Sequence, residues 1–379
     1  MSLVSVSTSL PTSLPTSLPR IGFIFSTEVG LKTQYQNWRD TVSRLTPNLD
    51  PEWIVIDWYR AHGFLERIPF LPGGLVARIR SQQQLLQGFH KQRYDGLLIG
   101  APAVAYSRAR LLARQPYFVT IDCTPRQLHS MGALYNKRPS SIAAYEGWKE
   151  AQRRAFYQRA RLLFPWSRWA AESMVNDYGA DPANIDIIPP GIDLSRWQAP
   201  ERVLDDTVHL LFVGGDFVRK GGDLLLEWAQ KTSKRNWKLH IVTRDPVPLS
   251  HPHVEVYRDL GPNDPALVAL YQKAHLFVLP TRGDCYSLAG MEALASGLPV
   301  LLGQVGGTGD IIRDGETGYL LPPGDSFALT DRLEFLLSSP ERLLPMGVAA
   351  RHDAEQRYDA TKNVGRILAR IQQSLATTL

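Results

Sequence analysis

Two carboxylates eight positions apart, Asp284 and Glu292, bracket the segment Cys285-Tyr286-Ser287-Leu288. The apolar run Leu276-Phe277-Val278-Leu279-Pro280 precedes them and reads as a buried parallel strand. Ser287 can cap a helix over Leu288–Ser296, with Gly297 closing it. A ligand at the end of this strand meets an acidic loop, then the amides of Cys285 to Leu288, then a second acid about one turn further in. Amides take an anion and carboxylates accept from hydroxyls, so the pattern suits a polyhydroxylated ligand carrying phosphate. Arg219 and Lys220 lie between the apolar run Val208–Val213 and a helix starting near Gly221-Gly222, from where both can point into the same cleft. Fixed cations there would suit the same phosphate-bearing ligand. On residue type alone, the two read more readily as solvated loop residues, and it is the motif around them that favours the cleft.

Other candidates are single residues. Gly306 and Gly307 follow the run Pro299–Leu302 and would let backbone approach a ligand closely, although turns use such pairs constantly. Arg244 and Arg258 fall just past strands and are candidates for a nucleobase or phosphate contact. Near the start, Thr27-Glu28-Val29-Gly30-Leu31-Lys32-Thr33 follows the first apolar run, but it lacks the Gly-Lys-Ser/Thr of a P-loop. Asp122, after the run Tyr117–Ile121, could orient a ligand hydroxyl, help stabilise a cationic centre, or cap the turn before Pro125. His129 could contact an acceptor. Cys285 has no His nearby in sequence and reads as a small buried filler. No Asp-x-Asp stands at a strand end and His251-Pro252-His253 is isolated, so neither a metal nor another cofactor is expected.

The elements that must position these residues are short apolar runs with helical patterns between them, the signature of an α/β protein with parallel sheets. The first set is Ile21–Phe25, Trp53–Asp57, Gly96–Ile99, Tyr117–Ile121, Leu162–Phe164 and Ile185–Ile188. The second is Val208–Val213, Lys238–Thr243, Val254–Tyr257, Leu276–Leu279, Pro299–Leu302 and Gly318–Leu321. Two such sets predict two doubly wound domains, over 20–190 and 205–355, joined by a Pro- and Gly-rich linker at 191–204. A closing helical segment spans 356–379. A long amphipathic helix is expected over Ser140–Arg161, burying Ala143, Trp148, Ala151, Ala155 and Phe156. Residues 1–19, with Thr-Ser-Leu-Pro repeating, read as a disordered low-complexity tail.

The 379 residues allow two cores of ordinary size, and 44% hydrophobic with 21% charged residues is a soluble globular composition. Two cysteines make no disulfide framework and suit a reducing compartment, so a cytoplasmic location is expected. Residues 20–190 carry 22 Lys and Arg against 14 Asp and Glu, a balance of +8, whereas residues 191–379 carry 20 against 23, a balance of −3. A basic first half could meet an anionic acceptor or the inner face of an anionic membrane, or be an Arg-rich solvated surface. Basic and aromatic residues do not interleave as in nucleic-acid modules, so no nucleic-acid partner is expected.

The segment Gly283–Val300 resembles the E-x7-E signature of retaining GT-B glycosyltransferases, glycosyltransferase family 4 in particular, with Asp284 at the first acid position. Phe212–Gly222 is similar to the first motif of that family's C-terminal domain. Lys220 stands at its Lys, while Gly215 stands where an Arg is usual. Val305-Gly306-Gly307, Asp310-Ile311-Ile312 and Asp314–Gly318 resemble its closing motif. Trp166–Trp169, Tyr178-Gly179 and Pro189–Asp193 match the approach to its linker, so the resemblance runs over about 161–325.

This resemblance implies the GT-B fold, two Rossmann-like domains facing a cleft. It also implies retaining, metal-independent transfer of a hexose-type sugar from a nucleotide-diphosphate-sugar to a hydroxyl of a glycan or lipid-linked acceptor, as in polysaccharide or glycolipid synthesis. Carried over by position, Glu292 would accept from the donor ribose and Asp284 would face the donor sugar. Lys220, with Arg219 compensating for the missing Arg, would hold the leaving phosphate, and Gly30 would let a helix start approach the donor phosphates. Asp122 stands where many members have a His. These departures keep open a catalytically weakened GT-B subunit that binds a partner, and a nucleotide-sugar epimerase on the same fold. A nicotinamide enzyme is disfavoured, since neither half has a Gly-x-Gly-x-x-Gly turn with a following acid.

Overall fold

The computed structural model describes residues 18–28, 31–45, 47–58, 73–91, 93–135 and 143–377. Gly30 and most of the expected N-terminal tail, residues 1–17, lie outside the described residues.

The first sheet has five parallel strands: β1 (Arg20–Ser26), β2 (Asp50–Ile56), β3 (Gly96–Ile99), β4 (Tyr117–Ile121) and β5 (Leu162–Pro165), in the order β2-β1-β3-β4-β5. The second has six: β6 (Val208–Val213), β7 (Trp237–Val242), β8 (Val254–Tyr257), β9 (Leu276–Leu279), β10 (Val300–Gly303) and β11 (Gly318–Leu321), in the order β11-β10-β9-β6-β7-β8. β3, β4, β9 and β10 are buried along their whole length, which is why they read as continuous apolar runs without alternation. The expected strand at Ile185–Ile188 shrinks to a single parallel bridge between Ile185 and Leu163. Asp186 and Ile188 N–H still donate to Leu163 O (2.9 Å) and Pro165 O (3.0 Å) of β5, and Pro189-Pro190, with no amide donors, ends the pairing there.

Helices α1 (Leu31–Leu45), α2 (Gly73–Lys91), α3 (Ala109–Leu112), α4 (Pro125–Ser130), α5 (Ala143–Arg159) and α6 (Arg168–Asn176) accompany the first sheet. With the second run α7 (Gly222–Lys231), α8 (Pro265–Lys273), α9 (Leu288–Ala295), α10 (Ser326–Ser338) and α11 (Leu343–Arg357). In α5 the expected apolar stripe is corrected: the buried positions are Phe156 and Tyr157, whereas Trp148 is 49% exposed and stacks on Tyr145 at 6.0 Å. Among the described residues, the last turns of α5 reach the core through Phe156 and Tyr157, while its first turns are exposed or half-buried.

The last helix, α12 (Ala360–Ala376), crosses to the first sheet. Its Val364, Ile367, Leu368 and Ile371 share a core with Trp38 and Val42 of α1. The chain thus passes between the halves twice, and the two passages are bonded together. Ile192 N–H donates to Tyr358 O (2.7 Å), and Ala360 N–H donates to Ile192 O (3.0 Å). A Cβ on Gly191 would lie 2.3 Å from Ala360 Cα, so only glycine permits this contact.

Candidate active site

In a doubly wound sheet, ligands bind beyond the carboxyl ends of the strands where the strand order reverses. In the second sheet this point lies between β6 and β9, which are neighbours although β7 and β8 intervene in sequence. The loops leaving these two strands carry the residues picked out by chemistry, Arg219 and Lys220 on one and Asp284 on the other.

The two loops are tied together. Lys220 Nζ donates to Asp284 Oδ2, and both side chains are largely buried. Arg282 N–H donates to Arg219 O (2.8 Å), and the Arg282 guanidinium forks onto Asp223 of α7 at 2.7 and 2.8 Å. Gly221, with φ +81°, begins α7 where a Cβ would strike Pro280 O at 2.2 Å. The loop after β6 therefore lies directly on the end of β9, and only a left-handed glycine allows it.

Arg219 is no solvated loop residue. Its side chain bonds Asp216 (2.7 Å) and Gly283 O (2.6 Å), then reaches the first half, donating to Tyr135 Oη at 3.2 Å and lying 4.5 Å over that ring. Tyr135 follows α4 and no sequence pattern announced it; its hydroxyl is pushed well above the usual range, mainly by burial.

The second acid sits deeper. Glu292 lies in α9, whose first turn is capped by Ser287 accepting from Gly290 N–H at 3.1 Å. Glu292 is 6% exposed, accepts from Tyr271 Oη at 3.4 Å, and has its carboxyl pushed up to about 8 by burial. Such a group gains from any hydroxyl that donates to it. The backbone of Cys285 to Leu288 follows Asp284 as the residue order requires. The Tyr286 ring, however, turns into the core against Trp166 (6.1 Å), so of Tyr286 only the backbone faces the loop. Leu288 is half-buried on the second core.

Gly306 and Gly307, expected to let backbone approach a ligand, pack closely on protein. Gly306, with φ +54°, leaves no room for a Cβ beside Asp284 O (2.2 Å), and Gly307 N–H donates to Cys285 O at 2.9 Å. Arg258 is exposed and donates to Asp245 O at 3.1 Å; Asp245 in turn accepts from Phe217 N–H at 2.7 Å. Arg258 is thus linked to the β6 loop through Asp245. Arg244 is exposed.

Asp122, at the end of β4, faces the second half. Its carboxyl is raised to about 6, first by burial and further by Asp284. The cap of α4 belongs instead to Thr124, in a reciprocal box with Gln127, so capping is not the role of Asp122. Asp122 lies with Cys123 and Cys285 in a group whose carboxylate oxygen and two sulfurs are all within 4.8 Å of one another. The sequence conceals this grouping because the cysteines sit on different halves. His129 is half-buried in α4 and held below the usual imidazole range by burial. A surface cavity of about 500 Å³ lined by Arg20, Asp50, Arg93 and Asp95 lies at the opposite, N-terminal end of β1 and β2, and its Arg20 is paired with Asp50 at 2.7 Å.

Two Rossmann-like halves meeting across the carboxyl ends of their strands define a GT-B protein. Residues 38–196 match Glycosyltransferase Family 4, and residues 207–339 match Glycosyl transferases group 1. The chain belongs to the family 4 glycosyltransferases. It is 33% identical over 213 residues to a D-inositol 3-phosphate glycosyltransferase of Gordonia bronchialis, covering 49% of this chain and 46% of that protein. The chain therefore spans about half the length of the curated relatives it matches first. In fold it is similar to a sucrose-phosphate synthase from Thermosynechococcus elongatus (TM-score 0.71, 17% identity, 95% of this chain and 100% of that one). It is also similar to Anabaena Alr3699/HepE in complex with UDP and glucose (TM-score 0.64, 15% identity, 93% and 99%). No helix among the described residues is long and apolar enough to cross a membrane.

Proposed function

We propose that the chain transfers a hexose-type sugar from a nucleotide-diphosphate-sugar to a hydroxyl of a glycan or lipid-linked acceptor, with retention and without a metal. The observation that carries this reading is the Lys220–Asp284 pair at the β6/β9 switch point, with Glu292 buried behind it. A diphosphate arriving there would draw Lys220 away from Asp284, and the released carboxylate would turn to hydroxyls of the attached sugar. As the glycosidic bond breaks, Lys220 and Arg219 meet charge growing on the leaving phosphate, helped by amides at the start of α9. Glu292 accepts from the ribose, and Asp122 from the facing half lies beside the acceptor.

Closure excludes water and aligns the acceptor hydroxyl with the anomeric carbon. The relatives' printed names support a sugar transfer, and UDP with glucose in a structure of the same fold supports a nucleotide-sugar donor. The +8 balance of residues 20–190 supports an anionic acceptor or a peripheral contact with an anionic membrane from the cytoplasmic side.

The test is a panel of UDP-, GDP- and ADP-sugars scored by thermal shift, with and without EDTA. A donor at 100 times its Kd should stabilise by roughly 2.7 kcal/mol. The reading predicts a shift with one base, unchanged by EDTA and lost in Glu292→Ala, and a product whose anomeric configuration matches the donor's by NMR. A shift that Glu292→Ala leaves intact would sink the ribose assignment.

A further inference from the structure

Both cysteines of the chain meet at one place. Cys123 follows Asp122 at the end of β4 in the first half, and Cys285 stands between Asp284 and Tyr286 in the loop after β9 in the second. Both are free thiols, and their sulfurs lie within 4.8 Å of each other. We propose that Cys123 and Cys285 are a redox-active pair which a low-molecular-weight disulfide converts into a covalent bond across the cleft, holding the two halves shut.

Three features support this. A disulfide bond is about 2 Å long, so the remaining gap is of the size that side-chain rotation and a small slide between two hinged halves can close. The pair joins the two loops that must separate for a ligand to reach Asp284 and Glu292, so the bond would act where it matters most. Arg219–Tyr135 already links the two halves on this face, and Lys220–Asp284 ties the loop that carries Cys285 to the β6 loop, so the sulfurs stay opposite each other.

The chemistry is ordinary exchange. The thiolate of Cys123, the less buried of the two, attacks one sulfur of an oxidised dithiol such as glutathione disulfide and expels one glutathione thiolate. The Cys285 thiolate then attacks the Cys123 sulfur of the mixed disulfide and expels the second. Two protein thiols lose two protons and two electrons in all, and one small disulfide becomes two thiols. Hydrogen bonding to Cys285, followed by burial, holds the Cys123 thiol well above its usual range. Exchange is therefore slow while the halves are shut, and opening them admits the reagent.

The effect on transfer rests on the function proposed above, but the cross-link does not, and the two are read separately. The full chain is reduced, freed of reductant, treated with glutathione disulfide, alkylated under denaturing conditions and weighed intact. The expected product has lost the mass of two hydrogens, carries no alkyl group, and yields a peptide joining Cys123 to Cys285. Donor thermal shift and transfer should fall by more than roughly tenfold, because the cleft must open in every cycle, and dithiothreitol should restore them. Cys123→Ser should neither cross-link nor lose transfer under the same treatment. Two freely alkylated cysteines, or separate glutathione adducts on each, would overturn the pair. So would thiols that alkylate only after a chelator is added, which would assign Asp122, Cys123 and Cys285 to a bound cation instead. A cross-link without loss of transfer would leave the bond standing and overturn its effect on the cleft.

Discussion

Arg219 of the second half donates to the Tyr135 hydroxyl of the first at 3.2 Å while lying 4.5 Å above its ring. One side chain therefore couples the position of the β6 loop to the contact between the two halves. The chain carries Gly215 where the family usually has an Arg, four residues before Arg219.

Tyr135 variants separate the two contacts. Tyr135→Phe keeps the ring and loses one hydrogen bond, which should cost about 1 kcal/mol and lower kcat/KM roughly fivefold. Tyr135→Ala loses the ring as well, adding about 1 kcal/mol for the cation–π contact. Steady-state kinetics on both variants check the order, and equal losses would show that the ring contributes nothing.

Lys220→Ala should reduce kcat by roughly 100- to 1,000-fold, the range seen when one preorganised donor to a developing anion is removed. It also strands Asp284 in a buried site, costing about 3 kcal/mol of stability. Adding Asp284→Ala should return much of the stability and none of the activity. Denaturant melts set beside single-turnover rates separate the two effects.

Glu292 links stability and donor affinity to pH in opposite senses. Its carboxyl ionises near 8 in the folded chain against 4.5 normally, so the folded state holds the extra proton between these values. Stability contributed by the protonated group is full below pH 4.5 and declines as pH rises through about 8. Donor affinity should instead rise over the same window, because ribose hydroxyls donate to the ionised form. Glu292→Gln should flatten both slopes, as melting curves and donor titrations from pH 5 to 9 would show.

Gly306→Ala should lower stability by about 1–3 kcal/mol, since it imposes an unfavourable φ and drives a methyl group against Asp284 O. Donor affinity should fall more than melting temperature alone would suggest, because the displaced carbonyl belongs to the acid at the site. A stable variant with unchanged donor affinity would show that Gly306 has no part in positioning that acid.

Most of the frame was legible because its signals are local. β9, the Ser287 cap and the Gly297 stop all lie within one short stretch, and β6 with its glycine-rich loop lies within another. What escaped depends on contacts between distant parts of the chain. Tyr135 has no spacing to either acid. The Cys123–Cys285 encounter exists only once the halves meet, and Tyr271 joins Glu292 from a different helix. The apolar pattern of α5 misled for the opposite reason: periodicity reports a face, and among the described residues Trp148 on that face stays 49% exposed.

The bonded passages at Ile192 and Ala360 have a mechanical meaning. A single connecting strand would let the halves swivel freely, whereas two strands laced side by side behave like the leaf of a door. Any opening of the cleft would have to swing about these bonds, since twisting about the connection would tear the lacing. Each return stroke should therefore bring Lys220, Asp122 and both thiols back to the same register.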